Sequence, residues 1–426
     1  MSLQFITGNS GNGKTKYLFN RIVKEAKANP RDNYLVIVPE QFTMQTQRQL
    51  VDLSENKAIM NIDVLSFKRL AYRVFDELGI TNLTVLEETG KNLVLRKLAA
   101  QEADKLGVIG RNLNRIGYIS EVKSLLSELV QYNISPEELG RYIASGMLSD
   151  TLSDKLKDVL VLYEAFEKFM QDKYITAEEI LNVLSNVAEE SAILRNSVIA
   201  FDEFTGFTPI QNQLIKKLFV ISKKIYVTLT IDCREDIFKS RGMQELFDMP
   251  KRTVKSLTEM AAFYGIEVEE PIILDKNYRL AENEELSFME QQLFRKRRCS
   301  FKKAPKHIHI DCLRDPKQEL TKIARRINEL VRNENLRYRD IAIVTGDVNI
   351  YAGYVREIFD KYNIPYFIDA TQEILFHPFI EFIRSIPDIA AQNFSADAVF
   401  RFLRCGFSEL LDSEIDVLEN YVLACG

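Results

Sequence analysis

Short apolar runs alternate with stretches of helical periodicity at the start of the chain. Leu3–Thr7 reads as a short buried strand and Lys14–Ala28 as the helix after it. Tyr34–Val38 is a second apolar strand ending at Pro39, and Val64–Phe75 reads as a strand end followed by a helix. Strands alternating with helices predict a parallel, doubly wound α/β sheet. From Glu87 to Glu190 the strand signals disappear. Leu113, Ile116, Val122, Leu125, Leu126 and Leu129 recur at helical spacing, as do Leu156, Val159, Leu160, Tyr163, Phe166 and Met170. Strands resume at Ser197–Phe201 and Ile225–Ile231. The pattern predicts one α/β domain, formed by residues 1–86 and 191–290, with a helical domain, residues 87–190, inserted in it.

Residues 295–306 hold seven basic side chains (Arg295, Lys296, Arg297, Arg298, Lys302, Lys303, Lys306) and no acid, so 291–306 reads as a basic linker. A second α/β pattern follows over 307–376. Its expected elements are strand His307–Cys312, helix Pro316–Arg332, strand Ile341–Thr345, helix Tyr351–Tyr362 and a short strand at Tyr366–Ile368. Residues 377–426 read as the start of a helical region.

Composition adds constraints. Apolar residues at 46% and charged residues at 27% are ordinary for a soluble globular chain with a large core. The net charge of -5 supplies no global field toward DNA, so any nucleic-acid contact must come from local patches. No apolar run approaches a membrane span, and no basic region followed by a long apolar run marks a leader. The five cysteines lie far apart without a CxxC pair, which points to reduced thiols in the cytoplasm and to neither a disulfide framework nor a metal site.

The chemistry concentrates at Gly8-Asn9-Ser10-Gly11-Asn12-Gly13-Lys14-Thr15, a full match to G-x4-G-K-[ST] between a strand and a helix. Such a P-loop turns backbone N–H groups onto phosphate oxygens, and the helix N-terminus adds partial positive charge. Lys14 would reach the β and γ phosphates of a nucleoside triphosphate, and the Thr15 hydroxyl would bind Mg²⁺. The second half of such a site needs a carboxylate at the end of a neighbouring strand. Asp202 would hold Mg²⁺ through water, and Glu203 would orient or deprotonate the attacking water. Paired acids after a strand are also a common surface feature.

Beyond the P-loop, Val38-Pro39-Glu40-Gln41-Phe42-Thr43-Met44-Gln45-Thr46, Ser66-Phe67-Lys68-Arg69-Leu70-Ala71, Phe204-Thr205-Gly206-Phe207-Thr208-Pro209 and Leu418–Ala424 resemble segments of the AddB (RexB) subunit family of bacterial AddAB helicase–nucleases. The arrangement is also similar to UvrD-type superfamily 1 helicases. Asn277-Tyr278-Arg279 looks like their motif IV, with Arg279 facing the γ-phosphate. Glu319 stands in the place of an acidic nucleotide-sensing segment, and Ile364-Pro365-Tyr366 resembles a strand of the second motor domain.

The resemblance implies two RecA-like domains: 1A from 1–86 and 191–290 around a 1B-like insertion at 87–190, and a partial 2A at 307–376 before a 2B-like region at 377–426. It implies ATP and Mg²⁺ as cofactors, single-stranded DNA and an AddA-type subunit as partners in a heterodimer, and reading of a Chi-type signal. By resemblance Gln41, Thr43, Phe67, Arg69, Tyr72 and Phe207 sit where the family contacts DNA. Aromatic faces there would stack bases and Arg69 would meet a phosphate or a base edge. Phe67 and Phe207 are equally readable as core, and the basic run equally as a linker or the lining of a DNA path.

There are departures from the helicase pattern. No adenine-reading glutamine fits before Gly8, and the strand near Thr230 runs into Ile231-Asp232-Cys233 without the coupling glutamine. Motifs V and VI would lie past Gly426, and nothing in this sequence carries the family's nuclease domain or iron–sulfur cysteines. The expectation is a degenerate helicase-like part, inactive alone as helicase and nuclease. Two other readings stay open: a recognition module that binds but does not hydrolyse nucleotide, and an independent P-loop ATPase or kinase for a small molecule.

Overall fold

The computed structural model describes residues 1–81, 84–108, 110, 117–146, 148–170, 174–295, 299–369 and 374–425. Leu113 and Ile116 of the helical pattern, and Lys296, Arg297 and Arg298 of the basic run, lie outside the described residues. The chain divides into two compact units, 1–308 and 309–426.

The first unit is a mixed α/β structure. Its strands are β1 (Ser2–Gly8), β2 (Tyr34–Ile37), β3 (Ile62–Leu65), β4 (Val85–Leu86), β5 (Ile175–Thr176), β6 (Val198–Phe201), β7 (Lys224–Thr230), β8 (Glu267–Val268) and β9 (Ile272–Leu274). The main sheet has the order β3-β2-β6-β7-β1, with β8 and β9 both on the outer edge of β1. Every pairing in it is parallel. A parallel sheet is covered on both faces, which is why its central strands are continuous apolar runs.

Side chains alternate between two cores. Phe5, Ile37, Ile199, Phe201, Ile225 and Val227 pack under the helices Phe67–Leu78, Ile180–Val187, Pro209–Ile221 and Asp248–Phe263. Ile6, Val36, Val198, Ala200 and Tyr226 face Leu18, Phe19 and Ile22 of the helix Lys14–Ala28 and Leu50 of the helix Thr43–Leu53.

The helical block has a separate core, in which Leu95, Val122, Leu126, Val159, Leu162 and Phe166 meet. One departure from expectation lies at its ends. The strands β4 and β5 pair in parallel, Val85 with Ile175 and Leu86 with Thr176, so the block's entry and exit are stitched together. Two-residue runs carry no periodicity, and only their mutual pairing makes them strands. Beside this stitch Lys91 is 3% exposed, with its ammonium 2.7 Å from Glu178 Oε2 and 2.9 Å from Glu88 Oε1.

In the second unit the helices Pro316–Asn333 and Val348–Lys361 pack Leu320, Ala324 and Ile327 against Val355, Ile358 and Phe359. Helices Pro378–Ala391, Ala396–Leu403 and Asp412–Cys425 follow. The strands expected at His307–Cys312, Ile341–Thr345 and Tyr366–Ile368 do not form: among the described residues these segments join no ladder. Ile310, Val344 and Phe367 are almost fully exposed. An apolar run becomes a strand only when a neighbour takes up its backbone hydrogen bonds and covers its side chains. Among the described residues no helix is long and apolar enough to cross a membrane.

Removing one partner of a buried ion pair leaves an uncompensated charge, at a cost of about 3–5 kcal/mol. Lys91→Ala is therefore expected to lower the urea midpoint of the helical block's unfolding while leaving the sheet's transition in place. A midpoint equal to wild type would show that the Lys91–Glu178 contact contributes nothing to the stitch.

Candidate functional site

The chain leaves the core at Gly8 and returns as the helix beginning at Lys14, with the loop between them closely held. A Cβ on Gly8 would stand 2.6 Å from Leu274 O, and one on Gly11 would stand 2.7 Å from Asn277 Oδ1. Gly11 and Gly13 have φ of +89° and +78°, where a side chain brings strain. Asn277 Nδ2 donates to Ser10 O at 3.0 Å, and the Tyr278 amide donates to Gly11 O at 3.0 Å. Asn12 Nδ2 donates to Leu274 O at 2.5 Å. Asn9 accepts from the Cys233 amide at 2.9 Å and donates to Glu290 Oε1 at 2.7 Å.

The loop is thus braced by β9, by the 277–279 segment and by the chain after β7. Gly13 caps the helix without a side-chain hydrogen bond, so no capping side chain occupies the first-turn N–H groups. Uncapped N–H groups at a helix start favour an anion. Lys14 Nζ rests on the carbonyls of Gly8 at 3.1 Å and Asn9 at 3.0 Å. Burial pushes the Lys14 ammonium below its usual pKa, while the nearby Glu203 and Asp202 carboxylates oppose that shift.

Both acids converge on the same point. Thr15 Oγ1 lies 3.3 Å from Asp202 Oδ1 and 3.3 Å from Glu203 Oε1. The route differs from expectation: β6, which carries them, is not the neighbour of β1, because β7 runs between the two. Thr228 of β7 bridges the gap by donating to Asp202 Oδ1. Asp202 is 1% exposed and its Oδ2 has no hydrogen-bond partner. Burial raises its pKa, with the Glu203 charge adding and the Thr228 hydrogen bond opposing. Glu203 has φ of +64°, an unfavourable conformation for a residue with a side chain.

These groups line a cleft of about 720 Å³. Arg279 stands at its rim with Nη1 3.4 Å from Ser10 Oγ. The exposed Tyr278 ring lies over Gly13, and Gln49 and Asp52 of helix Thr43–Leu53 also line the cleft. Asn277 and Tyr278, read in the sequence with Arg279 as one motif, stand with it at the loop. Sequence reasoning missed Thr228, which shares a strand face with Tyr226. Gln49 and Asp52 had no sequence signal, since only helix packing brings them to the cleft.

The DNA candidates divide by exposure. Gln41 is exposed and Tyr72 partly so. Arg69 is exposed but paired with Glu40 at 3.1 Å, and Ser66 Oγ donates to the same carboxylate. Thr43 is buried, its hydroxyl donating to Glu40 O at 3.0 Å. Phe67 is buried too, packed against Phe201, Phe204 and Phe207 with ring centroids 5.5 to 6.3 Å away. Both lie inside, beneath the surface that carries Gln41, Arg69 and Tyr72. Phe207 is half-buried in the same cluster. Arg295 is no open linker residue either. It lies 2.8 Å from Asp232 Oδ2 and stacks over the Phe247 ring at 4.9 Å, while Arg234 donates to the same oxygen at 2.6 Å and to Oδ1 at 2.9 Å. Burial works against the Asp232 charge, but the two guanidinium groups hold its carboxyl well below the usual range.

A family model described as ADDB, N-terminal, matches residues 5–290. The chain is 39% identical over 431 residues to an ATP-dependent helicase/deoxyribonuclease subunit from Lachnoclostridium phytofermentans, covering 100% of this chain and 38% of that protein. It is 34% identical over 428 residues to the like-named protein from Clostridium acetobutylicum, covering 100% and 37%. A third, from Caldanaerobacter subterraneus, is 34% identical over 429 residues with the same two coverages. The chain spans a little over a third of the length of these curated relatives.

The environment of Asp202 has a consequence for stability. Its folded-state pKa is raised, so the folded state holds the proton more firmly than the unfolded chain does. The stability this contributes is present below the ordinary Asp pKa of about 3.9 and is lost as pH rises through the raised value. In metal-free buffer Asp202→Asn is expected to stabilise the protein at neutral pH by about 0.5–2 kcal/mol, a common range for such gains. The gain should shrink on acidification. Thermal melts across pH check this, and a gain that grows toward low pH would contradict it.

Proposed function

The chain belongs to the ADDB N-terminal family, and from that membership we propose that it is the helicase-like part of an AddB-type subunit in double-strand-break repair. In this reading Gly8–Thr15 is a P-loop that binds ATP, and the fold around it is the first RecA-like domain of a superfamily 1 arrangement. The observation that carries the proposal is the convergence of Thr15, Asp202 and Glu203 at the start of an uncapped helix. The uncapped N–H groups and Lys14 would bind the phosphates. Thr15 and Asp202 fit a divalent cation, since a buried carboxylate oxygen without a partner is costly unless something positive meets it. Bound Mg²⁺ would neutralise charge on the phosphates. Glu203 is positioned to orient water, and Arg279 to stabilise charge at the γ-phosphate. The open ring of Tyr278 supplies an apolar face beside the loop for a base.

Single-stranded DNA is proposed to bind on the neighbouring surface, through Gln41, Arg69 and Tyr72, with Phe67, Phe207 and Thr43 holding those residues in place from behind. Reading of a Chi-type sequence, and pairing with an AddA-type subunit, extend the same proposal from the family. One observation favours a second reading, a recognition module that binds nucleotide without turning it over. The chain after β7 carries Asp232, locked by Arg234 and Arg295, where a superfamily 1 motor has a glutamine linking nucleotide state to DNA grip. ATP hydrolysis with and without single-stranded DNA separates the readings: stimulated turnover for a motor subunit, none for a recognition module, and DNA-independent turnover for a small-molecule kinase.

Two outcomes are expected. Lys14→Ala should weaken binding of a fluorescent ATP analogue, because it removes the main cation on the phosphates. Equal affinity for the two proteins would remove the P-loop reading. Base–aromatic stacking is worth about 1–3 kcal/mol per base, so Tyr72→Ala should weaken single-stranded DNA binding roughly five- to hundredfold. If anisotropy titrations of the Tyr72 and Arg69 alanine variants overlay wild type, DNA binds elsewhere.

A further inference from the structure

Thr228 lies within β7 and is 3% exposed. Strand alternation sends Ile225, Val227 and Leu229 into one core, and Tyr226 and Thr228 to the face under helix Lys14–Ala28. A valine would fill that position with the same shape and would need no partner. A buried hydroxyl must be hydrogen-bonded, and this one donates to Asp202 Oδ1. Thr15 Oγ1 meets the same oxygen at 3.3 Å. The other oxygen, Oδ2, is buried and has no partner at all. The two carboxylate oxygens are therefore not equivalent: one is turned onto β7 and the other is left over.

We propose that Thr228 is a positioning residue that fixes the orientation of the Asp202 carboxylate for a divalent cation. The proposal rests on the reading of Gly8–Thr15 as a nucleotide–Mg²⁺ site. A carboxylate at a strand end can rotate and exchange its oxygens. Bonding to a hydroxyl on a β-branched side chain, stiff about its first torsion, removes that freedom. The hydroxyl is supplied by the strand that separates β6 from β1. Hydrogen bonds behind a metal ligand typically govern affinity by 10–100-fold.

The test is a Mg²⁺ titration of fluorescent-nucleotide binding by this chain. Thr228→Val is expected to raise the half-saturating Mg²⁺ concentration about tenfold or more, with nucleotide affinity in EDTA unchanged. Thr228→Ser, which keeps the donor but not the branch, should recover the midpoint in part. Thr228→Cys, similar in size but a weak donor, replaces the valine variant if that one fails to fold. A thermal shift without any change in the Mg²⁺ midpoint would make Thr228 a packing residue and overturn the proposal. If wild type itself shows no Mg²⁺-dependent nucleotide binding, the nucleotide reading falls and the role of Thr228 falls with it. If wild type depends on Mg²⁺ and the valine and cysteine variants match it, only the role of Thr228 falls.

Discussion

All strands of the main sheet run the same way, and the site depends on that constraint. In a parallel sheet every carboxyl end opens on one edge. The glycine loop leaves β1 there, the paired acids leave β6, and Asp232 follows β7. Helices on both faces keep water from the strands, so polar groups gather where the strands stop. Thr228, two residues inside that edge, is buried, and its hydroxyl bridges the space between β6 and β1.

Three locally unfavourable features meet at this edge. Glu203 holds a positive φ, Lys14 is desolvated against loop carbonyls, and Asp202 keeps an unpartnered oxygen in the core. Each of these features weakens the fold locally. Departures from local preference that cluster at one place are characteristic of functional sites. The aromatic cluster of Phe67, Phe201, Phe204 and Phe207 works in the opposite sense. It fastens the start of helix Phe67–Leu78 to the loop after β6, so the surface bearing Arg69 and Tyr72 is tied to the chain that carries Asp202 and Glu203.

The strand–loop–helix from Ser2 to Ala28 was readable from the sequence because its causes are local. A short apolar run, glycines where φ is positive, and a helical period starting at Lys14 each act within a few residues. The same holds for β6 and the acids that follow it. The parallel α/β class came from the alternation of such segments, and the helices after Pro316 came from their periodicity.

Tertiary structure alone decided the rest. Strand order put β7 between β1 and β6 and gave Thr228 its partner, since ladders join residues far apart in the chain. Burial took Phe67 and Thr43 inside, although their sequence context equally allowed a surface role. The apolar runs at 307–312, 341–345 and 366–368 form no ladder among the described residues, while Val85–Leu86 and Ile175–Thr176, which show no pattern of their own, pair with each other. Periodicity records which side chains want to leave water. Whether a run becomes a strand, and which groups meet at its end, depends on a partner that the run itself does not encode.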